Sequence, residues 1–350
     1  PLAMVSVGAL IYLLNRDYAD TEMHLSWQIT IYASALFSGC MVCHGEMVRL
    51  KPHPRFLTSF YLAVALGGAV GGAFVSLVAP RLFTGYWELH TGLLVFAGLT
   101  TLTLIREFGK RNHTLVGVGA VLWIQALIIM AFYLRAHIHE SEADTIHSTR
   151  GFYGVLRIYE SGLLTEDHQR SLYHGRISHG SQYLSDEFRN WPGTYYGENS
   201  GVGVFFNQYR AQQYNAPMNI GVVGLGVGTL AAWAEYGDSV RFYEINSQVQ
   251  DLAENYFTYL ENCEGDASVV LGDARITLEK ELKYQDSQQF DALFVDAFSG
   301  DSIPIHLLTR EAFELYFKHL KEDGVLIVHI TNLHLNLSDP VRTLAKELGK

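Results

Sequence analysis

Cysteine is scarce in this chain: Cys40, Cys43 and Cys263 are the only three in 350 residues. That excludes a disulfide framework and the small stapled domains that depend on one. A basic excess is missing too. Lysine and arginine number 25 against 36 acidic residues, a formal net charge of −11, so nucleic acid is not an expected partner. No internal repeat or low-complexity tract occurs, and no signal peptide is identified, because the first apolar segment lacks a basic flank and a cleavage site. The chain opens at Pro1 in apolar sequence and closes at Lys350 in a helical pattern, which predicts a fragment of a longer protein.

What the chain has is apolar residues, 49% of the total, crowded into the first 135 positions. Leu25 to Cys43, Leu57 to Ala79, Leu89 to Ile105 and Thr114 to Leu134 are each about long enough to cross a bilayer, and Pro1 to Leu14 resembles the end of another crossing. The expectation is an α-helical membrane region over 1–135 with about five helices and the lipid bilayer as a partner. Gly67, Gly68, Gly71 and Gly72 form two overlaid Gly-x-x-x-Gly pairs that would let a neighbouring helix approach. Cys40-Met41-Val42-Cys43-His44 matches a haem-attachment pattern, but at the end of an apolar helix a chance match is the better reading.

Residues 136–150 are polar, with histidines and acids and no apolar period, and read as a linker. Phe152 to Tyr159 and Ser171 to Tyr173 predict short strands of a small β subdomain over 151–218. From 219 to 350 strands alternate with helices: Ile220 to Val223, Val240 to Tyr243, Ser268 to Leu271, Ala292 to Val295 and Val325 to Ile330, with helices such as Val249 to Leu260 and Arg310 to Leu320, the latter closed by Asp323-Gly324. That alternation predicts an α/β fold, a Rossmann-like doubly wound parallel sheet of the SAM-methyltransferase type, with its ligand at the carboxyl ends of the strands.

Chemistry concentrates on those ends. Gly221 to Val223 runs into Gly224, Gly226 and Gly228, bare backbone that a nucleoside can approach, ahead of a helix expected from Thr229. A dinucleotide fingerprint would need glycine at 229, where Thr229 stands. The spacing fits a sulfonium nucleoside such as S-adenosylmethionine better. Glu244, at the tip of the second strand, is placed to hold ribose hydroxyls, and Asp273, after the third, to meet the adenine amino group. The fourth strand delivers Asp296 to the same rim, where a carboxylate can take a proton from an amine nucleophile; the alternative is a turn cap. Asp301 is a second acid close by. His137, His139, His147, His174 and His179 lack ligand spacing, so linker and turn positions, and no metal, are expected of them.

The residues Leu172-Tyr173-His174-Gly175, His179-Gly180-Ser181-Gln182, Tyr195-Tyr196, the glycine loop, Tyr243-Glu244-Ile245-Asn246, Gly272-Asp273-Ala274-Arg275 and the Asp296 to Pro304 segment together resemble the spermidine synthase family of aminopropyltransferases. With its apolar half, the chain is similar to bacterial proteins in which such a domain follows a transporter-like membrane region. The resemblance covers about the last two hundred residues. It implies that Gln182 contacts the nucleoside, that Gly224, Gly226, Gly228, Glu244, Asp273 and Ala274 bind it, that Asp296 is the base on the diamine, and that Tyr195 or Tyr196 positions the amine. It also implies decarboxylated S-adenosylmethionine as co-substrate, a polyamine or other small amine as partner, and a multi-pass position in a bacterial inner membrane, with homo-oligomerisation left open.

Two departures keep alternatives open. Val227 stands where the family carries an acid for the aminopropyl ammonium, and Ser299-Gly300-Asp301 replaces an Asp-Pro pair, so Asp301 inherits that role by position alone. Methyl transfer from S-adenosylmethionine and a non-catalytic nucleoside or polyamine sensor coupled to a membrane unit are the competing readings. Arg49, Lys51 and Arg55 fall on one side of the expected membrane with Arg106, Lys110 and Arg111. By the positive-inside rule this puts the C-terminal half outside, away from adenosylated cofactors, so the side is left open.

Overall fold

The computed structural model describes Gly8, Ile11, Tyr12 and residues 24–108, 113–142, 144–175, 177–212, 216–298, 303–332 and 335–350. It divides into two compact units, Pro1–Asp144 and Thr145–Lys350.

The first unit is helical. In α1 (Leu25–Arg49) the hydroxyls of Thr30, Ser34 and Ser38 each donate to the carbonyl one turn earlier, so polar side chains in an apolar helix satisfy themselves. α2 (Leu57–Ala73) continues through a wide π-helical segment, Phe74–Val78, into Ala79–Leu82. Pro80 explains the widening, since it has no N–H to give and its ring crowds the preceding turn. α3 (Glu88–Phe108) and α4 (His113–Glu142) share a small core of Ala97, Trp123, Met130 and Leu134, and Trp123 Nε1 donates to Thr101 Oγ1 at 2.9 Å. Among the described residues two helical runs, Leu25–Arg49 and Pro54–Leu82, are long and apolar enough to cross a membrane; Thr91–Thr103 and Trp123–Ala136 are shorter apolar stretches. The expected close helix approach at Gly67, Gly68, Gly71 and Gly72 is not seen: among the described residues nothing lies within 4 Å of a Cβ built on any of them. Most of Pro1 to Leu14 lies outside the described residues.

The stretch read as a linker is ordered structure. Residues 136–142 complete α4, and Thr145–Gly151 form β1, so the second unit starts ahead of Gly151. β1 pairs with β2 (Gly154–Ser161), β2 with β3 (Gln169–His174) and β3 with β4 (Ile177–Tyr183) in an antiparallel meander. His147, expected in a solvated linker, sits in β1 with its Nδ1 2.9 Å from the Tyr256 hydroxyl. The fourfold meander is joined to the rest by packing: Leu156, Ile158 and Leu172 are buried against Val227, Leu252, Phe257 and Tyr259. Three such side chains stabilise by about 1.5–3 kcal/mol each, more than the few polar contacts across the same seam.

A short helical turn (Thr194–Tyr196) and α5 (Gly201–Gln212) lead into a parallel sheet of β5 (Asn219–Val223), β6 (Ser239–Glu244), β7 (Asp266–Leu271), β8 (Phe290–Val295) and β9 (Leu320–Val328), in the order β7-β6-β5-β8-β9. β8 is buried along its whole length, as a central parallel strand covered on both faces must be. One face packs Phe206, Phe242 and Phe294, with Phe206 stacked on Trp233 at 5.3 Å; the other packs Val223, Leu293, Phe313 and Tyr316. α6 (Ser247–Tyr256), α7 (Ala274–Tyr284), α8 (Arg310–His319) and α9 (Ser338–Glu347) complete the layers. Two local expectations fail. The helix after the glycine turn is a five-residue 3-10 turn, Thr229–Trp233. β9 starts at Leu320, and Asp323-Gly324 lies inside it at a bulge where a Cβ on Gly324 would meet the Phe290 carbonyl at 2.7 Å. Between β5 and its neighbours β6 and β8 the chain order reverses, and the crevice at such a switch point is where doubly wound sheets take ligands.

Candidate active site

An open cleft of about 1050 Å³, solvent mouth included, occupies that crevice. Its floor is the glycine turn. Gly224 has φ +102°, and a Cβ there would lie 2.4 Å from the Asp296 carbonyl oxygen; Gly226 has φ +56°, and a Cβ would lie 2.7 Å from the His179 carbonyl oxygen. Both glycines are thus required by the protein's own backbone, while both also line the cleft. Gly228, also at positive φ, does not line it and faces Leu260.

Glu244 emerges from β6 and is buried. Its Oε2 accepts from Leu225 N at 3.1 Å and its Oε1 from Asn246 N at 2.8 Å, so the carboxylate braces the turn and borders the cleft at once. Burial pushes its carboxyl above the usual range, against the opposing pull of the Asn246, Leu225 and Ile245 amides. Asp273 caps α7 by accepting from Ile276 N at 3.0 Å, and its Oδ2 lies 2.9 Å from His306 Nε2; Ala274 beside it is nearly buried in the same wall.

Asp296 leaves β8 between two donors. The Tyr196 hydroxyl donates to Oδ2, and His329 Nδ1 lies 2.5 Å from Oδ1. It is therefore no turn cap. Tyr196 is buried, and burial together with the Asp296 charge raises its phenol well above its usual range, so it stays a donor. The Tyr195 ring packs tilted against Tyr196, centroids 4.4 Å apart, and edge-on against His329 at 4.7 Å, and its phenol is raised for the same two reasons. Phe298 closes the other side of His329 at 4.8 Å.

Gln182, expected to contact the nucleoside, is not among the residues lining the cleft: its Nε2 donates to Arg189 O and Thr258 Oγ1, both at 2.9 Å, and its Oε1 accepts from Thr258 N, which commits both N–H donors and one oxygen lone pair to a structural joint. His174 and His179, read as turn residues, lie in β3 and β4 and line the cleft instead. Asp301, like Ser299, Gly300 and Ser302, lies outside the described residues. His329 and His306 were missed by sequence reasoning; His329 follows the rim rule that found Asp296, as the first residue past β9, whereas His306 lies in a short helical turn, Ile305–Leu307, that no strand end marks. Among the described residues no group of three or more His, Cys, Asp or Glu could hold a metal ion.

Among the described residues, three carboxylates (Glu244, Asp273, Asp296) and three histidines (His174, His179, His306) line the cleft, and no lysine or arginine does. The charge of this described lining favours a neutral or positive ligand. The surrounding rings of Tyr153, Tyr195, Tyr196 and Phe298 add faces for a cation or a base.

No family model matches the chain. It is 36% identical over 132 residues to the polyamine aminopropyltransferase of Vibrio vulnificus, 37% of this chain and 40% of that protein. It is 26% identical over 184 residues to the N-terminal histidine N-methyltransferase of Emericella nidulans, 52% of this chain and 32% of that one. The chain thus spans less than half the length of both curated relatives. Among solved structures it is similar to a probable spermidine synthase from Corynebacterium glutamicum, at 17% identity and a TM-score of 0.40, covering 52% of this chain and 62% of the other.

Proposed function

We propose that the second unit is a transferase acting on an adenosylated sulfonium, and that it moves an aminopropyl group from decarboxylated S-adenosylmethionine to an amine. The observation that carries this is the cleft at the switch point, whose described lining sets three carboxylates against no lysine or arginine. A sulfonium with an ammonium tail brings two positive charges and no negative one, whereas the carboxylate of S-adenosylmethionine would find no lysine or arginine among the described lining residues.

In this reading Glu244 accepts from the ribose hydroxyls, Asp273 faces the adenine amino group and Ala274 packs beside the base. The acceptor nitrogen attacks the methylene next to sulfur. The C–S bond breaks with its electron pair passing to sulfur, methylthioadenosine leaves as a neutral thioether, and the proton shed by the new secondary ammonium goes to Asp296. Tyr196 and His329 hold that carboxylate in one orientation, so it is presented without a search of rotamers.

The second reading, methyl transfer, is favoured by one observation: Val227 is buried against Gly180 and gives the glycine turn no charge for an ammonium tail. Incubating the full chain with decarboxylated S-adenosylmethionine and putrescine tests the first. Spermidine and methylthioadenosine are expected as products; no spermidine, together with tighter binding of the carboxylated nucleoside, decides for methyl transfer.

The proposal extends to anchoring. Along α1 and α2 large apolar side chains such as Leu36, Phe37, Leu62 and Leu66 are exposed, which lipid would cover. Extraction of the full chain from membranes by carbonate, without detergent, would remove this part of the reading. A reporter fused at Lys350 tells which side carries the cleft.

A further inference from the structure

Among the described residues lining the cleft, His179 is singular: its Nε2 is fully enclosed and has no hydrogen-bond partner. A buried polar atom left unmet costs about 1–3 kcal/mol, so such atoms in a binding cleft point to a ligand group that meets them. Its neighbour His174 has its Nε2 engaged, 2.6 Å from the Tyr153 carbonyl oxygen.

Local backbone explains how His179 comes to face the cleft. In the β3–β4 ladder Tyr173 pairs with Ser178 and Ser171 with Ser181, so His179 and Gly180 together oppose Leu172. This is a bulge, and a bulge re-aims a side chain. Gly180 takes φ +135°, and a Cβ on it would lie 2.6 Å from Val227 Cγ2, so the bulge and the glycine turn are fitted to one another. The His179 carbonyl therefore stands against Gly226, which fixes the residue at the end of the cleft where the turn's own side chain, Val227, is apolar and packed away. Burial, with the nearby His174 adding to it, lowers the imidazole to about pKa 4. It is neutral at physiological pH and offers a lone pair to a donor.

We propose that His179 accepts a hydrogen bond from the terminal ammonium of the ligand's aminopropyl tail and is thereby the residue that selects an ammonium-bearing nucleoside. This rests on the transferase reading above. A charge-assisted bond to a neutral acceptor, lost with the side chain, corresponds to about 10- to 100-fold in affinity.

The test is calorimetric titration of the full chain, and of His179→Phe and His179→Gln, with decarboxylated S-adenosylmethionine and with methylthioadenosine, which lacks the ammonium. The wild type is expected to prefer the ammonium-bearing compound by at least 10-fold. His179→Phe is expected to abolish that preference while leaving methylthioadenosine affinity within about threefold, and His179→Gln to keep part of it. Equal binding of the two compounds by the wild type overturns the proposal and leaves the transferase reading standing. So does an equal loss for both compounds in both variants, which marks a structural role. Failure of the wild type to bind either nucleoside overturns both together.

Discussion

Replacing Glu244 by glutamine separates the folding role of that residue from its binding role. One carboxylate oxygen already accepts the Leu225 N–H at 3.1 Å and the other the Asn246 N–H at 2.8 Å, with the Ile245 amide adding to them, and the remaining lone pairs are left for ribose hydroxyls. Glutamine has one acceptor oxygen. Its NH₂ must face one of those two amides, donor against donor, which costs about 1–3 kcal/mol. Burial works the other way. The folded-state carboxyl is raised by desolvation, so its charge is a cost of folding at neutral pH, and removing it returns part of what the lost bond takes away. The net change in stability is expected to be about 1 kcal/mol or less. Binding has no such offset: two hydrogen bonds to a charged acceptor, about 1.5–3 kcal/mol each, become at most one to a neutral amide. The loss of about 2–4 kcal/mol is a 30- to 1000-fold weaker affinity for methylthioadenosine. Calorimetric titration of both proteins, with thermal unfolding of each, gives the two quantities. Binding by the variant within threefold of wild type, with unfolding unchanged, would refute the assignment of Glu244 to the nucleoside.

Three further outcomes are expected. Asp296→Asn keeps the shape and the contact partners but cannot take a proton, so turnover should fall by about 10²–10⁴ while methylthioadenosine affinity stays within threefold; unchanged turnover in a steady-state assay removes Asp296 as the base. His179 should give the fold an acid limb: from its unfolded value of 6.5 to about 4 in the folded state, the unfolded chain binds a proton that the folded chain refuses. Stability is then complete above pH 6.5 and declines by about 3 kcal/mol towards pH 4, with His174 and Asp296 the facing titratable groups; denaturant melts of His179→Phe should show a flatter limb, and an identical limb contradicts this. Asp238→Ala should destabilise by about 3–5 kcal/mol, because buried Asp238 accepts from Met218 N, Glu235 N and Arg210 Nη2, each at 2.8 Å, and its loss leaves Arg210 enclosed with only the exposed Glu235 as a carboxylate partner. A loss under 1 kcal/mol in the same melts would show that the site relaxes around the hole.

The parallel sheet was legible because its strands are short apolar runs, each ending on a glycine or an acid: Val223 before Gly224, Tyr243 before Glu244, Val295 before Asp296. β1 was not, since its Thr145 to Gly151 mixes histidine, serine and arginine and is an edge strand, with a partner on one side only. Its order comes from long-range contacts such as Gln248 Nε2 to Thr149 Oγ1 at 2.8 Å, which no local pattern encodes. Gln182 shows the opposite failure. A residue of the expected type at the expected place is consumed by Thr258, 76 residues away, and sequence carries no record of what an amide is already bonded to. His179 was visible but misread, because a bulge of one residue decides whether a strand side chain faces core or cleft.

The glycine turn ties these separate residues into one device. Glu244 holds the turn by Leu225 N, and Gly224 is pressed against the Asp296 carbonyl. Gly226 is pressed in the same way against the His179 carbonyl. In the proposed transferase, nucleoside, proton acceptor and tail contact would therefore be spaced by three backbone approaches too tight for a Cβ or too short to stretch. A side chain at 224 or 226 would displace Asp296 or His179 before it touched any ligand, so alanine at either position should reduce turnover more than it reduces methylthioadenosine affinity. Alanine at Gly228, which faces Leu260 outside the cleft, should disturb the fold without that disparity. The contrast between these positions distinguishes a turn that merely admits a nucleoside from one that also sets the distance across which the group is passed.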